Sequence, residues 1–154
     1  MLNQQAVEGF DVVLAFAPGT PSSADPPYAS LAGYHRATVL IVADNSTTVT
    51  GAAITLLQAK DTSATGEKPL EFDAVHRNID TAAASALAEV AVTSDTFTTT
   101  TVDNKNSLYA IDITPDMLDI ANGFDCFAVG IANTTAQAVA CIYLLGPKKS
   151  GGLN

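Results

Sequence analysis

The stretch Leu108–Leu145 constrains the fold more than any other part of the chain. It reads LYAIDI, then TPDMLDIANG, then FDCFAVGI, then AVACIYLL. Runs of β-branched and aromatic residues with short turn signals between them are strand grammar. Thr114 suits a helix N-cap, Pro115 the first helical position and Asp116 the positive helix end. Asn122-Gly123 is a stop signal. The block therefore predicts a strand, a short helix over Pro115–Ala121 bridging two sheets or edges, and two buried strands. Phe124–Ile131 and Ala138–Leu145 flank Asn133–Thr135 and are expected to form a hairpin.

The rest of the chain repeats this grammar. Asp11–Ala17 (DVVLAFA) predicts a first strand. Pro18–Pro27 holds four prolines and a glycine, which predicts an extended surface loop. Val39–Ala43 is apolar at successive positions, which predicts a central strand covered on both faces. Ala52–Lys60 follows after a seven-residue polar turn and is expected to pair with it as an antiparallel neighbour. Asp61–Pro69 is a polar loop, and Leu70–Phe72 a short strand. Between Asp73 and Thr93 both helix and strand-or-loop stay open: AAASALAEV has helical propensity but little apolar spacing. Threonine-rich Thr96–Val102 is expected to be a strand on a half-exposed face. Seven or eight strands with one short helix near 115–121 predict an all-β, mainly antiparallel, jelly-roll-like two-sheet β-sandwich. Its expected organisation is a flexible arm at 1–10, one domain at 11–146 and a tail at 147–154.

Composition bears mainly on partners. The 154 residues suffice for one core without disulfides or metals. Charged residues make up only 15%, against roughly 25% in an average soluble domain. Such a surface tends to be covered by another protein. With 16 Asp+Glu against 7 Lys+Arg, the net charge is −9. The single basic doublet, Lys148-Lys149, is too short to track phosphates, so nucleic acid and anionic membrane are not expected partners. The N-terminus has no basic-then-apolar leader pattern, which leads to the expectation of synthesis in a reducing cytoplasm.

No motif implies chemistry. His35, His76, Cys126 and Cys141 lack the spacing of a zinc site. Cys126 and Cys141 fall in the two strands of the expected hairpin, so a disulfide and two buried thiols both stay open. Neither histidine is framed as a nucleophile's base, and no G-x-S-x-G occurs. Asp112, Asp116 and Asp119 could pair as acid and base, but the last two fit a helix start and an exposed helix face. Asp103-Asn104 is a calcium-like turn without the rest of a calcium loop. The expectation is a chain that is not an enzyme and uses no cofactor or small-molecule substrate.

The order of segments carries a resemblance. Tyr28–Val39 reads Y-x-S-L-x-G-Y-x-R-x-x-V. Thr55–Asp61 reads T-x-x-Q-A-x-D, and Lys68–Phe72 K-x-L-x-F. Tyr109–Leu118 reads Y-x-I-x-I-x-x-x-x-L, and Tyr143–Lys148 Y-x-L-G-x-K. From about Tyr28 to Lys148 the chain resembles small virion proteins of tailed phages, of the capsid decoration (cement) kind. The resemblance implies a structural subunit on the outer capsid surface. Its partners would be the major capsid protein and copies of itself, with a trimer as one arrangement the resemblance implies. Candidate contact elements are Met1–Phe10, Pro18–Pro27 and Gly146–Asn154, with Phe10, Tyr28, Tyr34, Arg36 and Lys148 as candidate contact residues. The alternatives are a tail, neck or baseplate accessory protein, or a carbohydrate- or receptor-binding module; the lack of Trp counts against the last.

Overall fold

A computed structural model describes residues 9–21 and 26–149. The expected N-terminal arm falls outside them except for Gly9 and Phe10, as do the middle of the Pro18–Pro27 loop and the tail beyond Lys149.

Among the described residues, eleven strands form two facing antiparallel sheets. They are β1 (Asp11–Gly19), β2 (Ala29–Ser30), β3 (Ala37–Asn45), β4 (Ala53–Ala59), β5 (Lys68–Pro69), β6 (Phe72–Asn78), β7 (Ala88–Ser94), β8 (Thr96–Thr98), β9 (Asn106–Ile113), β10 (Cys126–Ile131) and β11 (Gln137–Leu145). The larger sheet runs β1-β11-β3-β9-β6-β7. The smaller runs β2-β10-β4-β5, with β8 also on β4. The chain crosses between the sheets from β3 to β4 and from β9 through β10 to β11, whereas β6 and β7 pair as neighbours within the larger sheet.

Alternation decides the core. On β3, Ala37, Val39, Ile41 and Ala43 point inward and are fully buried. Tyr109, Ile111 and Ile113 of β9 and Val139, Cys141 and Tyr143 of β11 join them. Ile54 and Leu56 of β4 and Phe127, Val129 and Ile131 of β10 face them from the smaller sheet. Phe127 and Tyr143 meet across the gap with ring centroids 4.9 Å apart. One end of the sandwich is closed by polar side chains. Gln137 donates to Asn45 Oδ1 at 2.6 Å, Thr99 Oγ1 donates to Gln137 Oε1 at 3.1 Å, and Asn45 donates to the Val102 carbonyl at 2.9 Å.

Several local expectations are corrected. β10 and β11 are not a hairpin, and β3 and β4 are not neighbours: each pair is split between the sheets. In the link between β3 and β4 the buried Val49 and Ala52 turn the chain into the sandwich instead of back along one edge. Cys126 and Cys141 therefore lie in different sheets, both free and buried. Thr96–Val102 is strand only to Thr98; the Ala52 N–H donates to the inward-turned Thr99 hydroxyl at 2.8 Å. The open region 73–93 resolves into β6, a loop and β7. Its alanines make only a turn over Asp80, and Asn78 Nδ2 donates to the Ala84 carbonyl at 2.7 Å. The helix at 115–121 is two 3₁₀ turns, Pro115–Met117 and Ile120–Asn122. Leu118 separates them because its side chain is drawn into the core, while the Asp119 N–H donates to Gln58 Oε1 at 2.9 Å.

Candidate interaction surface

The two sheets differ on their outer faces. On the smaller, Cys126, Ala128 and Ala59 are buried under Tyr28 and flanked by Leu57 and Ala64. The Tyr28 hydroxyl donates to Glu67 at 2.5 Å, which holds the loop at 60–67 against it. Burial, and secondarily Glu67, pushes the Tyr28 phenol pKa up. The same loop brings Lys68 Nζ 4.1 Å from the centroid of the Phe124 ring and 2.5 Å from Asp119.

The outer face of the larger sheet has no such cover among the described residues. The strand register places its side chains in rows: Val12 beside Leu144, then Leu14, Ile142, Leu40 and Ala110, then Ala140, Val42 and Leu108. Val12, Leu14 and Val42 are 61%, 60% and 51% exposed, and their neighbours half-buried. Nine side chains on strands about 4.8 Å apart, in rows about 6.8 Å apart, make an apolar band of about 300 Å². A patch of this size on a monomer is commonly an interaction site. Val39–Ala43 was expected to be covered on both faces; in this structure the smaller sheet covers only one.

Four of the five candidate contact residues gather at one corner of this sheet. There the start of β1, the approach to β3 and the chain after β11 meet. Asp11 accepts a hydrogen bond from the Tyr34 hydroxyl and pairs with Lys148 Nζ at 3.0 Å. Tyr34, and then Lys148, hold the Asp11 carboxyl below its ordinary range, while Asp11 raises both partners. Backbone bonds tie the segment down: His35 N–H to Pro147 O at 3.0 Å, Lys149 N–H to Gly33 O at 2.7 Å, and Gly146 N–H to Arg36 O at 2.9 Å. Residues 147–149, expected to belong to the tail, are thus part of the corner. Gly146 must be glycine, since its φ is +154° and a Cβ would lie 2.5 Å from the Gly9 carbonyl oxygen and 2.9 Å from the half-buried Phe10 ring. The Arg36 side chain is exposed. Tyr28 is the one left out, packed on the other sheet.

The groups considered for chemistry are dispersed. His35 is exposed. His76 lies 3.5 Å from Glu89 on the open outer face, not in a cavity. Asp112 accepts from Thr38, Asp119 pairs with Lys68, and Asp103 accepts the Val49 N–H. Among the described residues no three His, Cys, Asp or Glu side chains are grouped to hold a metal ion. Burial pushes both thiols up to about 12, with Asp125 adding to the effect at Cys126. No helix among the described residues is long and apolar enough to cross a membrane.

Part of the apolar band was visible in the sequence as Val39–Ala43, where apolar residues occupy both parities. The Asp11–Tyr34–Lys148 corner joins residues too far apart in the chain for any local signal.

No protein-family model and no curated protein matches this chain. Among solved structures, the crystal structure of SPBc2 prophage-derived protein YomS is similar over 89% of this chain and 93% of its own, with a TM-score of 0.45 and 12% identity. At that level the likeness bears on neither role nor partner.

Proposed function

We propose that this chain is a structural virion protein of a tailed phage, a decoration subunit that binds and stabilises the outer surface of the head. The observation that carries the reading is the apolar band on the outer face of the larger sheet, lying over a core already filled from the inside. Apolar surface kept in the open at that size fits a protein that is covered in use. The segment resemblance directs the choice of partner to the major capsid protein. The stiff sandwich and the pinned corner at Asp11, Tyr34 and Lys148 suit a role in which shape is offered and no molecule is converted.

Purified undecorated heads, mixed with the full chain and pelleted, test the reading. Wild-type chain co-pellets to saturation, and Val42→Asp, altered at a site 51% exposed, does not. Gold label on the tail or neck, or no pelleting of the wild type, overturns the head assignment.

A further inference from the structure

We infer that two copies of this chain pair through their β1 edges, in antiparallel register about a two-fold axis at Val13, to make one continuous sheet. β1 is an outermost strand of the larger sheet and is paired only with β11 among the described residues. Its first four residues, Asp11–Leu14, keep a regular register with β11; the irregularities that blunt an edge, and Pro18, come only after Leu14. An edge of this kind presents unpaired N–H and C=O groups to any matching strand.

The side chains select the occupant. Pairing Val13 with Val13 of a second copy sets Val12 opposite Leu14 of that copy, and Leu14 opposite its Val12. Residues directly opposite in an antiparallel pair share a face, so these four exposed aliphatics meet on the outer side. The row Leu144–Val12 then runs on into Leu14–Ile142 of the second copy. Charge favours the same match. In a chain of net charge −9, the one carboxylate in this stretch, Asp11, is already paired with Lys148 at 3.0 Å. The opposite edge differs: β7 carries Glu89 and Thr93 outward and has no comparable aliphatic pair.

Area sets the strength. One band of about 300 Å² falls well short of the roughly 800 Å² per partner of a standard stable interface. Two bands joined edge to edge make one surface of about 600 Å², much nearer that size. The edge contact itself is short, so the dimer is concentration-dependent in solution and is favoured where copies are crowded. The dimer does not depend on the capsid being the partner.

Sedimentation equilibrium of the full chain, from micromolar to near-millimolar, reads the association. The expected mass rises from 15.8 kDa toward twice that value. Leu14→Lys, at a position 60% exposed, stays monomeric with an unchanged circular dichroism spectrum. A second variant, Val12→Cys with Leu14→Cys, forms a crosslinked dimer on mild oxidation, whereas Val42→Cys does not. A wild type that stays monomeric throughout, or a limiting mass of three subunits, overturns the inference. So does crosslinking through Val42 but not through positions 12 and 14, which marks face-to-face stacking.

Discussion

The Tyr143 hydroxyl accepts the backbone N–H of Val129 at 2.9 Å, joining β11 of the larger sheet to β10 of the smaller through the middle of the core. The bond is needed because β2 pairs with β10 only at Cys126 and Phe127. The edge of β10 beyond that point has no ladder partner among the described residues. An inward tyrosine fills the gap and packs its ring on Phe127.

Removing that hydroxyl leaves a buried N–H without an acceptor, at a cost of about 1–3 kcal/mol. Tyr143→Phe is therefore expected to lower the urea midpoint with the slope unchanged, since the ring and its packing remain. An unaltered midpoint would show that water or a neighbouring carbonyl takes over the N–H.

Adjacent residues of β3 are expected to behave oppositely. Ile41 is fully buried and Val42 is 51% exposed. Ile41→Ala empties a core position and should cost about 2–5 kcal/mol. Val42→Ala should change stability by about 0.5 kcal/mol or less. Paired denaturant titrations check this, and comparable losses at both positions would mean that the outer face is covered within the monomer.

Gln137 links Asn45 to Thr99 at the closed end of the sandwich. All three residues are buried. Gln137→Ala strands two polar groups, each costing about 1–3 kcal/mol, so the total loss should be about 2–6 kcal/mol. Amide exchange at Thr99–Val102 should quicken, because Asn45 holds that segment through the Val102 carbonyl. Unchanged exchange there would show that the segment is held independently.

The Asp11 corner should make stability fall in acid. Asp11 has its pKa lowered on folding, first by Tyr34 and then by Lys148, from an ordinary 3.8. Its contribution is present above that value and is lost as pH falls through the lowered one. Asp61, Asp80, Asp103, Asp116 and Asp119 are lowered too, so the whole chain should weaken below about pH 4. Asp11→Asn should flatten part of this acid limb in thermal melts taken against pH. An identical profile in the variant would show that the corner contributes nothing to stability.

Local chemistry was legible wherever one strand or turn decided it. The β-branched runs at Asp11–Ala17, Val39–Ala43 and Leu108–Ile113 all appear as strands, and Thr114, Pro115 and Gly123 hold their capping positions. The alanines of 82–86 left helix and strand-or-loop both open, and the structure makes them a loop, because propensity without an apolar stripe gives a helix nothing to pack against. Tyr34 and Lys148 stood out as residue types; their meeting at Asp11 did not, because it depends on distant segments brought together by the sheet.

By itself the sequence determined that the chain is β-rich, that it needs no crosslink to fill a core, and which residues of each strand share a face, since alternation is a property of the extended backbone alone. Only the tertiary structure decided which sheet each strand joins. That choice separated Cys126 from Cys141, sent β4 and β10 across the core, and left the outer apolar row of β1, β11, β3 and β9 in the open. The physical reason is that a strand's second apolar face carries no mark of what will cover it. Its cover is set by the long-range pairing of distant strands, which no local run of residues encodes.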